Sequence, residues 1–184
     1  MGREVSALVA LATAVVVASV SSCSESSGRA LPTANHPSSQ ATTATGTPKT
    51  QANPFTGFKA CELLDKAMAG MGFPPSEVSI AGSNNGCQTS KPQVATYALY
   101  LQPSYPLGKF GDNPSKLHDG QINGRNAVLR RENGGSDGAC DIAMAVPPAD
   151  TAIVGLQYNG STDKACDLVK QLAKKIEPML PGGK

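Results

Sequence analysis

Hydrophobic residues recur every three or four positions in two segments of the chain, residues 58–71 and 161–176. They are Phe58, Cys61, Leu64, Met68 and Met71 in the first segment, and Ala165, Leu168, Val169, Leu172 and Ile176 in the second. This spacing places them on one face of an α-helix. Gly72 favours an end to the first helix, and Ser161 or Thr162 can cap the start of the second. The pattern therefore predicts two amphipathic helices.

Between these helices, hydrophobic residues alternate with polar or small ones. The alternation is clear at residues 94–102, 140–146 and 152–158, and a period of two is typical of half-buried strands. Asn123-Gly124 is a strong signal for a two-residue hairpin turn, whereas residues 108–120 are polar and irregular. We therefore predict an α+β fold, with a single antiparallel sheet of about five or six strands and the N- and C-terminal helices on one face.

The N-terminus has a different pattern. An apolar run from Ala7 to Val20 follows Arg3 and leads into Val20-Ser21-Ser22-Cys23. The run is shorter than the roughly 20 apolar residues that a membrane-spanning helix needs. It resembles a bacterial lipoprotein signal peptide, residues 1–22, with a lipobox that ends at Cys23. The resemblance implies that Cys23 carries acyl chains such as palmitate, and that the protein is anchored to the cell membrane on its extracytoplasmic side.

Residues 23–54 lack the side chains that a folded core requires. Ser, Thr, Pro and Ala dominate, and Leu31 is the one large apolar residue before Phe55. A segment of this composition buries too little apolar surface to offset the entropy cost of ordering it. We therefore predict a solvated tether that begins at the lipidated Cys23, followed by a disulfide-bridged domain at residues 55–184.

The five cysteines fit an exported protein. With Cys23 lipidated, four remain, and an even number is consistent with two disulfides; they are Cys61, Cys87, Cys140 and Cys166. Three pairings of these four are possible. Two of the four lie on predicted helices and two on predicted strands, so we favour Cys61–Cys166 and Cys87–Cys140. The loop-entropy relation gives roughly 4 to 5 kcal/mol of stabilisation for each of these bridges.

Composition narrows the classes of function. The formal net charge is +2 and charged residues make up 16% of the chain, which argues against a nucleic-acid partner, because such proteins concentrate basic residues on one face. The chain has no Trp, and aromatic residues account for 4% of it. The core must therefore be built mainly from small and aliphatic side chains.

No pattern typical of an enzyme, a metal site or a cofactor site stands out. Ser136 lies in the glycine-rich stretch 134–138, which we interpret as a turn rather than as a nucleophile elbow. A triad of Ser136, Asp137 and His118 can be drawn, but a chain of this size offers such a trio by chance. The aspartates match no known calcium loop; they are Asp112, Asp119, Asp137 and Asp141. We therefore expect neither catalysis nor a cofactor.

Three arginines, Arg125, Arg130 and Arg131, are grouped around one predicted strand. Arg130 and Arg131 are adjacent, so their side chains point to opposite faces and cannot form one stripe. We interpret them as solvated charges that discourage strand pairing at a sheet edge. The functional alternative is contact with an acidic envelope polymer or a lipid headgroup.

Five short motifs, in a fixed order, carry a family resemblance. They are Ala60-Cys61-Glu62-Leu63-Leu64, Gly86-Cys87, Gly124-Arg125-Asn126-Ala127, Cys140-Asp141-Ile142 and Ala165-Cys166-Asp167. Together with the lipobox and the tether, they resemble an actinobacterial cell-surface lipoprotein family with a four-cysteine domain of unknown function. Relatives often carry Trp two residues after the second cysteine, where this chain has Thr89. The resemblance implies an envelope protein and no particular activity.

Two functional classes remain. The first is a non-catalytic binding or accessory domain that holds an envelope protein or a small ligand. The second is a lipid or glycolipid carrier, in which the sheet and helices part around an apolar cavity. A carrier needs more apolar residues than one core requires, and the low aromatic content of this chain favours a small solid core. We therefore expect a binding domain that is anchored to the membrane through its N-terminal lipid.

Overall fold

The computed structural model describes residues 52–183. The predicted signal peptide 1–22, the lipidation site Cys23 and nearly all of the predicted tether 23–54 lie outside the described residues. The helices are α1 (Ala60–Met68) and α2 (Thr162–Ile176). The strands are β1 (Glu77–Val78), β2 (Gly86–Lys91), β3 (Ala95–Gln102), β4 (Leu117–Ile122), β5 (Arg125–Arg131), β6 (Ala139–Val146) and β7 (Asp150–Tyr158). Neither helix is long and apolar enough to cross a membrane.

The strands form one antiparallel sheet in the order β1-β2-β3-β7-β6-β5-β4. The predicted α+β class and antiparallel sheet are confirmed, but the described chain has seven strands rather than five or six. The polar segment that we predicted to be irregular contains the start of β4. Four of the six residues of β4 are exposed, because β4 is an edge strand and no helix covers it fully. Its hydrophobic alternation is therefore missing from the sequence.

The placement of the helices also differs from the prediction. Both helices pack on one core, but they lie over different strands instead of being grouped together: α1 packs on β2 and β3 and α2 packs on β6 and β7. The sheet is thus divided between them, and α2 extends only partly over β5 and β4. This leaves the β4 end of the sheet open beside α2.

One continuous core fills the space between the sheet and the two helices. It includes Leu64 of α1, Leu99 of β3, Ile142 of β6, Val154 of β7 and Val169 of α2, all of which are buried. These side chains pack together between the layers. A smaller apolar cluster on the other face of the sheet is formed by Phe110, Val128 and Ala143.

The disulfides join Cys61 to Cys87 and Cys140 to Cys166, with Cα–Cα distances of 5.0 and 5.1 Å. All four cysteines are therefore bridged, as predicted, but the favoured pairing of Cys61 with Cys166 and Cys87 with Cys140 was wrong. Each bridge ties a helix to a strand beneath it, because α1 lies on β2 and α2 lies on β6. Pairing helix with helix ignored the fact that each helix turns its buried side towards the sheet.

The first bridge is supported by an unusual helix cap. Lys59, at the N-cap position of α1, makes no side-chain cap hydrogen bond. Instead, Asn85, from the turn before β2, accepts a hydrogen bond from the backbone N–H of Ala60 at 2.9 Å and donates one to the carbonyl oxygen of Phe58 at 2.8 Å. Asn85 therefore fixes the start of α1 close to Cys61.

Replacing Asn85 with alanine is expected to lower the free energy of unfolding by about 1–2 kcal/mol, because a cap is lost and a backbone group loses its partner. Urea unfolding followed by circular dichroism measures this loss. Asn84→Ala is the control, since Asn84 is exposed and an exposed substitution of this kind changes stability by less than about 0.5 kcal/mol. Equal losses in the two variants would contradict the capping role.

Candidate binding groove

The structure places the three arginines of β5 in separate environments. β5 lies between β4 and β6, so the interpretation of these arginines as edge-strand charges was wrong. Arg130 and Arg131 do lie on opposite faces: Arg130 pairs with Asp141 at 2.6 Å and Arg131 pairs with Asp163 of α2 at 2.6 Å. Neither they nor Arg125 form a common basic stripe.

Arg125 forms a buried ion pair with Glu177, just after α2. Arg125 Nε donates to Glu177 Oε1 at 3.0 Å, and the two side chains are 8% and 1% exposed. The remaining guanidinium nitrogens donate to the carbonyl oxygens of Ala145 at 2.8 Å and Pro181 at 3.0 Å. Asn123 Nδ2 lies 3.3 Å from the second carboxylate oxygen. Every charged group in this network is paired, which gives it a structural role.

Asp141 is the buried partner of Arg130 on the other face of the sheet. The Arg130 guanidinium also lies 4.6 Å from the centre of the Phe110 ring. Burial raises the pKa of the Asp141 carboxyl above its ordinary value of 3.8, and the hydrogen bond and charge of Arg130 offset only part of this rise.

A carboxyl whose pKa is raised in the folded state binds its proton more tightly there than in the unfolded chain. Its contribution to stability is therefore greatest below pH 3.8 and is lost as the pH rises through the raised folded value. We expect Asp141→Asn to remove this component, so that the stability of wild type relative to the variant falls with rising pH across this window. Urea unfolding of both proteins at a series of pH values measures the trend, and a relative stability that rises with pH would contradict it.

The residues considered for catalysis do not form a site. Ser136 and Asp137 lie in the connection between the antiparallel strands β5 and β6, whereas a nucleophile elbow joins a strand to a helix. Gln157 of β7 donates to the carbonyl oxygen of Asp137, while His118 lies on β4, three strands from β7 in the sheet order. Within residues 52–183 no group of three or more His, Cys, Asp or Glu side chains is placed to hold a metal ion.

One cleft in the described part of the chain is polar, and its charges are mostly paired. It has a volume of about 550 Å³ and lies beside the Asn133–Gly135 turn after β5. Lys116 pairs with Glu132 at 3.0 Å across it, and Arg130 is held by Asp141. Because these charges already have partners within the protein, the cleft offers little to a ligand.

A second cleft, which we call the β4–α2 groove, combines an apolar floor with charged walls. It has a volume of about 440 Å³ and lies over β5, between β4 and α2. Gly120 of β4 is directly opposite Ala127 of β5, and these two small residues create the hollow. A Cβ built on Gly120 would meet no atom within 4 Å. Leu129 and Ile142, which are also opposite one another, form the rest of the floor.

The walls of the β4–α2 groove are mainly basic. Lys170 and Lys174 come from α2, four residues apart, and both are exposed. Among the described residues neither lysine forms an ion pair. His118, Asp119 and Gln121 of β4 and Arg131 of β5 also line the groove, and Arg131 is neutralised by Asp163. The groove thus offers two positive charges that have no ion-pair partner among the described residues, beside an apolar floor.

Of these groove residues, sequence reasoning considered Arg131 alone for contact with an envelope ligand, as one of the three arginines around β5, although part of the signal for the groove was present. Asn123-Gly124 forms the predicted two-residue turn, with Ile122 opposite Arg125. That turn fixes the register of the hairpin, so Gly120 must lie opposite Ala127. The position of α2 beside the hairpin depends on tertiary packing and has no comparable local signal.

Neither a curated protein nor a solved structure was found to match this chain. One family pattern matches residues 18–179, which is most of the chain. The match includes all five motifs and the four bridged cysteines, and it confirms the expected membership of a family with a domain of unknown function. The chain therefore belongs to the family described as protein of unknown function (DUF3558).

Proposed function

We propose that this protein is a membrane-anchored envelope lipoprotein whose domain at residues 55–184 binds a ligand without catalysis. The anchor would be the lipidated Cys23, on the extracytoplasmic side of the cell membrane. Three observations support this. The apolar run before Cys23 has the form of a lipoprotein signal, the family match begins at residue 18, ahead of that cysteine, and two disulfides suit an oxidising compartment.

The observation that carries the binding role is the β4–α2 groove. Its volume of about 440 Å³ falls within the range of roughly 300–1,000 Å³ that is typical of ligand sites. Lys170 and Lys174 expose charge beside an apolar floor, a combination that fold stability does not require. An envelope protein or a small envelope ligand that contacts this groove would fit the role of a binding or accessory domain.

The alternative is a lipid or glycolipid carrier that encloses its cargo between the sheet and the helices. In the described residues that space is filled by buried side chains, including Leu64, Leu99 and Val169. The groove lies beside α2 and opens to solvent, so it would hold a ligand at the surface. This geometry favours a binding domain over a carrier that encloses a whole lipid.

The anchor is tested by replacing Cys23 with alanine. We expect the wild-type protein to yield an N-terminal peptide that begins at Cys23 and carries acyl mass, and to fractionate with membranes. The variant should lose the acyl mass and leave its normal membrane location. Ser24→Ala, at the neighbouring position, is the control and should behave as wild type. A variant that stayed in the membrane fraction with an unchanged N-terminus would overturn the proposal.

A further inference from the structure

We infer that the β4–α2 groove binds a single-chain amphiphile with an anionic head group, the chain in the hollow and the head group at the two lysines. This inference rests on the proposed binding function of the domain. It does not require the lipid anchor at Cys23, because every residue that carries it belongs to the folded domain.

The hollow suits an apolar chain because its residues leave space where neighbouring strands would usually place side chains. Gly120 has no side chain, and Ala127 opposite it has only a methyl group. Ile142 is 1% exposed and forms a closed apolar base. An alkyl chain that lies on this floor removes apolar surface of the chain and of the protein from water, which is favourable.

The head group follows from the charge of the wall. Lys170 and Lys174 lie on one side of α2, because residues four apart share a face of a helix. A carboxylate or phosphate placed between them gains two cationic partners, neither of which forms an ion pair among the described residues. Asp119, which also lines the groove, lies on β4, whereas both lysines lie on α2. An uncharged amphiphile would leave both lysines unmatched.

A long anionic polymer fits this surface less well. Such a polymer needs a row of cations along the surface. On α2 the row is limited to Lys170 and Lys174, because the two charged residues before them on this side of the helix, Asp163 and Asp167, are acidic. Arg131 is already paired with Asp163 at 2.6 Å. The two lysines therefore form a local site for one anionic group, next to the hollow that receives its chain.

Isothermal titration calorimetry with three probes tests the inference: decyl phosphate below its micelle concentration, decanol, and inorganic phosphate. The protein is the full chain with Cys23→Ser, in which no acyl group can be attached at that residue and compete for the groove. We expect decyl phosphate to bind at least tenfold more tightly than decanol. The preference should shrink as salt is raised, because the lysines are exposed and screened. Inorganic phosphate alone should give no measurable binding.

Two variants separate the head-group and chain contributions. Lys170→Gln with Lys174→Gln should weaken decyl phosphate roughly tenfold and leave decanol unchanged. Gly120→Leu should weaken both probes at least tenfold, because the leucine side chain fills the hollow without meeting another atom at its Cβ. Asn126→Leu is the control, since Asn126 lies on the other face of β5 and is exposed, and it should bind both probes as wild type does.

Three results would overturn the inference: unchanged decyl phosphate binding in Gly120→Leu, equal binding of inorganic phosphate and decyl phosphate, or no binding of either alkyl probe. Urea unfolding of each variant shows whether it is folded. The lysine variants alter exposed side chains, so they remain informative if Gly120→Leu does not fold.

The anchor experiment at Cys23 measures acylation and membrane location instead of ligand binding. A failure of the amphiphile inference and a failure of the lipoprotein proposal are therefore seen separately.

Discussion

Replacing Arg125 with methionine is expected to lower the free energy of unfolding by about 3–5 kcal/mol. The substitution removes the charge that pairs with Glu177 and leaves a carboxylate that is 1% exposed without its partner. It also removes the donors to the carbonyl oxygens of Ala145 and Pro181. Breaking one side of a buried ion pair has a large cost, because the other charge stays desolvated. Urea unfolding at neutral pH measures the loss.

Two controls separate burial from charge. Lys59→Met removes a salt bridge with Glu62 that is shorter, 2.7 Å, but whose side chains are 72% and 67% exposed. Solvent screens this pair, so its loss should change the free energy of unfolding far less than Arg125→Met does. Arg125→Met combined with Glu177→Leu removes both buried charges and should recover much of the lost stability. If Arg125→Met lowered the free energy of unfolding no more than Lys59→Met does, the structural role assigned to the buried Arg125–Glu177 pair would be wrong.

The sequence predicts best the elements that are buried on one face. Ala95, Tyr97, Leu99 and Leu101 alternate in β3 and all face the core, as expected. The second helix begins at Thr162 and ends at Ile176, with Ser161 as its cap. In these elements local propensity, hydrophobic period and capping residues agree, so a local pattern is sufficient to place them.

Elements whose pattern is set by their neighbours were predicted less well. β4 is polar because it is an edge strand, and Arg125 is buried because Glu177, more than 50 residues later, reaches it. Thr89 is also explained by a distant partner: its hydroxyl donates to the carbonyl oxygen of Pro74 at 2.7 Å, and it lies opposite Tyr97. These arrangements depend on tertiary contacts, which hydrophobic periodicity does not report.

The same division applies to the candidate site. The hairpin register, and with it the opposition of Gly120 and Ala127, follows from the Asn123-Gly124 turn. Lys170 and Lys174 line the resulting hollow because α2 runs over β6 and β7. The path is constrained by the Cys140–Cys166 bridge, whose partners we had paired otherwise.

Removing either disulfide is expected to lower the free energy of unfolding by about 3.5 kcal/mol, the value that the loop-entropy relation gives for a loop of this length. Both bridges have a sequence separation of 26 residues, so Cys61→Ala with Cys87→Ala and Cys140→Ala with Cys166→Ala should lose similar amounts. Each double variant keeps the other bridge intact. Urea unfolding under oxidising conditions measures both losses.

A third double variant tests the connectivity itself. Cys61→Ala with Cys166→Ala removes one partner from each observed bridge, so both bridges are lost and the expected cost is about twice as large. If the helices were instead joined by Cys61–Cys166, this variant would lose one bridge, and each of the other two double variants would lose both. The order of the three stabilities therefore distinguishes the two pairings. Mass spectrometry of the unreduced digest should agree, with Cys87 and Cys140 present as free thiols in the third variant.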